Sequence, residues 1–337
     1  MHSFSLKQRF CNLTLSFCIF TFFLSADSIY AENFTPEEGK RLIQEEEFER
    51  AKEVLLKVVE KEPDNAEVNF LLCKVSVILD DHDDGIKYGK KAIDLDESVS
   101  DYHLWLGRAH GMQAQKGSQL KAIFRAKRAK EEFEKAVALD STNVQARLQL
   151  AQYLLMAPGI AGGDKKKAKK QVEIMQDIDS LYGAIAWSFY WQNEEDTIKT
   201  ESYLKEAVRL DTTSSHLATY MYGQFLHGQK RYHEAVEIYE KTFRKYPDDM
   251  GLLYQVGRNY IFVEDSLDKA ERCFKQYLQT EPKRNEPDWA AAHWRLGMVY
   301  DLKGEKDLAI AELEEAVRLD PKNKEFKKTL EEIKKKK

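Results

Sequence analysis

This chain is poor in the features that usually announce chemistry. Of 337 residues only four are cysteine, and two of these, Cys11 and Cys18, fall in the N-terminal apolar segment. No HExxH or CxxC pattern occurs, so the usual zinc spacings are absent. Positive charge is not in excess: 52 basic residues face 57 acidic ones, a formal net charge of -5. A general nucleic-acid binder should be basic, so that class is disfavoured. Apolar runs are short as well. The one from Phe10 to Ser25 is interrupted by Asn12, Thr14 and Ser16 and falls below the roughly 20 residues of a membrane span.

That run follows Lys7 and Arg9 and precedes small residues, the order of a secretory signal peptide. The reading places a signal at 1–31 with cleavage after Ala31, a cut after Ala26 being the second choice. The mature protein is then periplasmic or secreted, with no stable membrane insertion; the alternative is an uncleaved N-terminal anchor. Loss of Lys7, Arg9 and Asp27 moves the net charge to about -6. Cys73 and Cys273 remain, and both read as buried small apolar residues. Their distance along the chain argues against the roughly 4.4–6.8 Å Cα spacing of a disulfide.

What the chain does have is a returning phrase. FERAKEVLLKVVEKEPDN begins at Phe48, AKEEFEKAVALDSTN at Ala129 and HEAVEIYEKTFRKYPDD at His233. DKAERCFKQYLQTEPKR begins at Asp268 and DLAIAELEEAVRLDPKN at Asp307. Each is an amphipathic helix with an early Ala, an apolar residue four further on, and an Asp-Pro-like stop. A period of about 34 residues means stacked helical hairpins rather than one closed globule. Leu296, Gly297, Tyr300, Ala309, Leu313, Ala316 and Pro321 show the pattern most fully.

These residues resemble the tetratricopeptide repeat: Leu-Gly-x2-Tyr in the first helix, Ala-x3-Phe in the second, then Pro. The resemblance implies an all-α, right-handed superhelical solenoid of about eight hairpins over 32–323 and a capping helix over 324–337. Repeats are expected near 32–65, 66–99, 100–143, 144–182, 183–214, 216–249, 250–284 and 290–323. Phe326, Leu330 and Ile333 should form the buried side of the cap. The third and fourth repeats run long, and the stretch from LGRAHG to GIAGGDKKKA is similar to one in exported bacterial proteins of this kind. That likeness transfers no activity.

Local candidates for chemistry fail on spacing. PGIAGGDKKKA has glycines before lysines, but Asp164 stands where a P-loop needs Lys-Ser/Thr, so it reads as a bend with Asp164 as a helix N-cap. DDHDDG at 80–85 would need an acidic ligand at the twelfth position of a calcium loop, and Lys91 is there. His103 and His110 are two helical turns apart with no third ligand. No nucleophile–base arrangement has local support. The chain is therefore read as non-catalytic and without a cofactor.

The first helix of each repeat carries the stronger signal. Its positions 2, 5, 9 and 12 share one face, which the resemblance places on the inner surface of the solenoid. Position 5 reads Phe70, Leu104, Leu148, Trp187, Tyr220, Tyr254 and Trp294. Position 9 includes Trp191, Gln224 and Arg258, with His227 close by. Aromatics beside Arg suit a binding surface. The expected partner-binding residues are Trp187, Trp191, Tyr220, Gln224, His227, Tyr254, Arg258 and Trp294, and the partner a protein or peptide. The alternative ligand is a glycan or lipid carried in the same groove, and the rival role for the rings is packing between repeats.

Overall fold

The structure, a computed structural model, describes residues 34–336 apart from 116–118, 214 and 285; the signal segment expected at 1–31 lies outside them. The described residues form seventeen α-helices, sixteen of them paired into hairpins. The first two hairpins are α1 (Pro36–Gln44) with α2 (Phe48–Lys61), and α3 (Ala66–Ile78) with α4 (His82–Leu95). Next come α5 (Ser100–Ala114) with α6 (Gln119–Leu139), and α7 (Val144–Met156) with α8 (Lys165–Ile178). Then follow α9 (Ser180–Asn193) with α10 (Thr197–Leu210), and α11 (Leu217–Gly228) with α12 (Tyr232–Lys245). The last are α13 (Met250–Tyr260) with α14 (Leu267–Tyr277), α15 (Trp289–Lys303) with α16 (Lys306–Leu319), and the single helix α17 (Lys324–Lys335). None of these helices is long and apolar enough to cross a membrane.

Short polar residues set the helix starts. Asn65, Asn143, Asp179, Asp249, Asp288 and Asn323 each accept an N–H of the helix they precede, pairing a donor the helix cannot satisfy itself. Asp81, in the acidic turn, caps α4 and pairs with Lys52 at 2.7 Å. Within the hairpins, one left-handed residue turns the chain: Glu46, Asp80, Glu195, Lys230 and Asp265, with φ between 54° and 63°. Gly304 takes this place in the last hairpin at φ 79°, without the side-chain clash the others bear.

Small residues let the paired helices touch. A Cβ on Gly223 would lie 2.1 Å from the Tyr239 ring, and one on Gly297 would lie 2.7 Å from Leu313 and 3.1 Å from the Ala309 carbonyl. Ala51, Ala92, Ala235, Ala270 and Ala309 are all fully buried on second helices. Enlarging such a position overpacks the seam. Ala309→Phe is expected to cost roughly 1–3 kcal/mol, confined to the C-terminal hairpins because repeats couple to their neighbours. Hydrogen exchange checks this: loosening should stop short of α1–α4, whereas uniform loosening would contradict it.

Cys73 and Cys273 are free and buried, and burial pushes both thiols up to about 12. The late second helix of the third hairpin is the 21-residue α6. In the fourth hairpin, Gly162 has φ 92°, and a Cβ on Gly163 would overlap the Ala157 carbonyl at 1.8 Å. Asp164 accepts the N–H groups of Lys166 and Lys167, both at 3.0 Å. The glycines thus serve a tight bend into α8. On α17, Phe326 and Ile333 are buried and Leu330 packs beside them.

Candidate functional site

The stack curves far enough for its seventh hairpin to meet its first two. The segment after α14 is pinned at several points. The Tyr277 hydroxyl donates to the Pro287 carbonyl at 2.5 Å, and the Gly251 N–H donates to Glu286 Oε1 at 3.2 Å. From this segment Arg284 reaches across 235 residues of sequence. Its Nη1 donates to Glu49 Oε1 at 2.9 Å and its Nη2 to the Ile78 carbonyl at 3.1 Å. Its guanidinium lies 5.4 Å from the Phe48 ring centre.

This clasp shows which face is inside. A cavity of about 750 Å³ is lined by Tyr220 and Gln224 of α11, Gln255 of α13, Arg284, and Glu46 from the α1–α2 turn. Residues from the free face of the first helices therefore share one space with the opposite end of the stack. A second cavity, about 600 Å³, lies on first helices further toward the N-terminus. Phe70 and Lys74 of α3, Trp105 and Arg108 of α5, and Gln145 of α7 line it. Two cations lie over Trp105, with Lys74 Nζ 5.5 Å and the Arg108 guanidinium 4.5 Å from its ring centre, both within cation–π range.

The expected partner-binding residues divide by burial. Gln224 is exposed, and Tyr220 is half-buried with its hydroxyl donating to Asp249 Oδ1 at 2.7 Å. His227 is half-buried, its Nδ1 2.8 Å from Asn259 Oδ1. Burial holds its imidazole below the ordinary histidine range, helped by the charges of Arg258 and Arg295. Trp187 stacks on Trp191 at 6.0 Å and on Tyr203 at 5.7 Å, while Lys199 Nζ sits 3.6 Å from the Trp191 ring centre. These two indoles line neither of the cavities above.

Tyr254 and Trp294 are placed differently from an open ladder. They are only 5 % and 9 % exposed. The Tyr254 ring meets Phe274 at 5.5 Å and Tyr277 at 5.3 Å, both on α14. Trp294 meets Phe326 of α17 at 5.4 Å and donates Nε1–H to Thr329 Oγ1 at 3.1 Å. Both rings are packing between helices. The open face beside them instead carries Arg258 and Arg295, which position counting passed over in the second case. Trp105 was also missed, being one residue beyond the position assigned to Leu104.

The clasp carries a pH and salt expectation. The Arg284 hydrogen bond, followed by a backbone hydrogen bond, holds the Glu49 carboxyl below its ordinary value. A depressed carboxylate pKa contributes above the unfolded value and is lost as pH falls through the folded one, so the clasp should release as pH falls below the ordinary glutamate range. Both side chains are open to solvent, so salt should weaken it too. Arg284→Glu is expected to lengthen the particle in small-angle scattering at neutral pH, and adding Glu49→Arg should restore it. Unchanged dimensions for the single variant would contradict the clasp.

Comparison with known proteins agrees with this architecture. The family model for the tetratricopeptide repeat matches residues 217–249 and 290–323, the sixth and eighth hairpins. Mouse tetratricopeptide repeat protein 7B is 25% identical over 221 residues, covering 61% of this chain and 20% of that protein. The chain thus spans about a fifth of that curated relative. Among solved structures, TTC0263, a thermophilic TPR protein of Thermus thermophilus, aligns with a TM-score of 0.50 at 12% identity. The alignment covers 57% of this chain and 97% of that one. This last likeness speaks to the fold alone. Tetratricopeptide scaffolds generally mediate protein–protein interaction and are typically non-catalytic.

Proposed function

We propose that this chain, a tetratricopeptide-repeat protein, is a non-catalytic scaffold that holds a peptide or protein segment along the inner face of its first helices. The observation that carries the reading is the cavity shared by Tyr220, Gln224 and Gln255 with Glu46 and Arg284. It is a cavity to which the first helices contribute amide and phenol groups, and the loop after α14 and the α1–α2 turn contribute charged ones. Amides and hydroxyls there can pair with a peptide backbone, and the rings of the N-terminal cavity can take side chains. Affinity capture with the full chain from native extract tests it. A polypeptide retained by the wild type and lost with Gln224→Arg supports the scaffold. A glycan or lipid found by mass spectrometry in its place, or no dependence on Gln224, would overturn it.

The basic, apolar and small-residue order of 1–31 supports an exported protein, periplasmic or secreted. N-terminal sequencing of native protein should read from near Glu32. An intact Met1 would count against export.

A further inference from the structure

The charge of this acidic chain is unevenly spread. Residues 119–130, the first three turns of α6, hold five basic side chains and no acidic one. Residues 164–172, at the start of α8, hold five lysines and one acid, Asp164. The second helices α2, α4, α12, α14 and α16 each carry an acidic residue in the first turn, the sign that the helix dipole favours there. α8 opens instead on Lys165, Lys166 and Lys167, all exposed. Lys165 does pair with Glu194 at 2.6 Å. The run nonetheless opposes the dipole, and Lys166 and Lys170 stand one turn apart as a like-charge pair. Helix formation gives no reason for it.

The two stretches meet at one edge of the stack. The bend before α8 packs against α6, and a Cβ on Gly162 would lie 3.2 Å from the Lys130 side chain. From Lys130 back to Gln119, α6 runs on for about 16 Å, so its first turns extend beyond that contact. Apolar side chains stand among these cations. Leu120 and Phe124, one turn apart on α6, are 82 % and 61 % exposed. Met156 and Ile160, either side of Pro158 in the bend, are 81 % and 71 % exposed. The Arg128 guanidinium lies 5.2 Å from the Phe124 ring centre. Exposed apolar side chains grouped within a polar rim mark a surface that meets something.

We propose that this edge, the first turns of α6 and the bend into α8, docks on the surface of an anionic lipid bilayer. The lysines and arginines draw the lipid phosphates, and Leu120 and Phe124 enter the boundary between headgroups and acyl chains. A nucleic acid would also meet the cations. Aromatic stacking is what adds to charge on that kind of partner, and three of the four exposed side chains are aliphatic. The acidic remainder of the chain is repelled by the same bilayer, which orients the molecule with this edge toward it. None of these residues lines either cavity described above, so the inference stands apart from the groove reading.

The test is flotation of the chain, as its native host processes it, with vesicles of equal parts phosphatidylglycerol and phosphatidylcholine, against vesicles of phosphatidylcholine alone. Wild type should bind the anionic vesicles about tenfold more tightly or better and lose that gain as salt rises. Lys166→Glu with Lys167→Glu should remove most of the gain. These changes put carboxylates where the α8 dipole favours them, so lost binding is not lost folding. Lys241→Glu with Lys327→Glu, exposed on α12 and α17, alters the net charge equally and should bind like wild type. Leu120→Ser with Phe124→Ser should weaken binding by about tenfold with an unchanged thermal melt. No binding by wild type, equal binding to both kinds of vesicle, or equal losses for the two lysine pairs would overturn the inference. So would binding that needs the lysines but not Leu120 and Phe124 and is competed away by duplex DNA.

Discussion

Tyr254→Ala is expected to lower the stability of the C-terminal hairpins by about 3–5 kcal/mol. The ring is buried against Phe274 and Tyr277, inside the apolar cluster that runs from Leu204 to Ile333. Removing it leaves a void that two large rings cannot fill by small shifts. Tyr254→Phe keeps the ring and should lie within about 1 kcal/mol of the wild type. Denaturant melts read both changes. Near-equal stabilities for Tyr254→Ala and wild type would mean that the ring stands in the groove after all.

Trp105→Ala carries the largest expected effect on binding, a loss of about 2 kcal/mol or more, roughly thirtyfold. This ring lines the N-terminal cavity with Lys74 and Arg108 close to it. Burial lowers the Arg108 guanidinium from its ordinary value, so that cation is already partly stripped of water. An indole held by two neighbouring cations and by the core is stiff and loses little freedom when a partner arrives. Because Trp105 also touches the core, the affinity of the folded variant is the quantity to compare. Lys241→Ala, on the exposed outer side of α12, should bind like wild type. Equal affinities for the Trp105 and Lys241 variants would remove the N-terminal cavity from the binding surface.

The hairpins were legible because their signals are local. Gly223 and Gly297 had to face a large residue on the partner helix, and Tyr239 and Leu313 are found there. Asp164 had to cap α8, because its carboxylate precedes a run that can only be helical. The late AKEEFEKAVALD phrase called for an extended third hairpin, and α6 supplies it.

The site was legible only in part, for two physical reasons. A helix face is about 100° per residue, so an error of one residue turns a side chain from groove to seam. Leu104 is buried while Trp105 faces the cavity. Tyr254 and Trp294 lie on the expected helices, but α14 and α17 cover them. The clasp had no local signal at all. Arg284 and Glu49 meet only because the whole stack bends, and no spacing within one repeat encodes that bend.

The central claim, that the partner lies along the inner face of the first helices, is tested most directly by site-specific photo-crosslinking in native extract. A photoreactive residue at Gln224 lies in the shared cavity, and one at Lys241 lies on the outer side. The account predicts a crosslinked polypeptide from position 224 that competes with an excess of unlabelled protein, and none from position 241. A specific adduct from position 241 with none from 224 would contradict it.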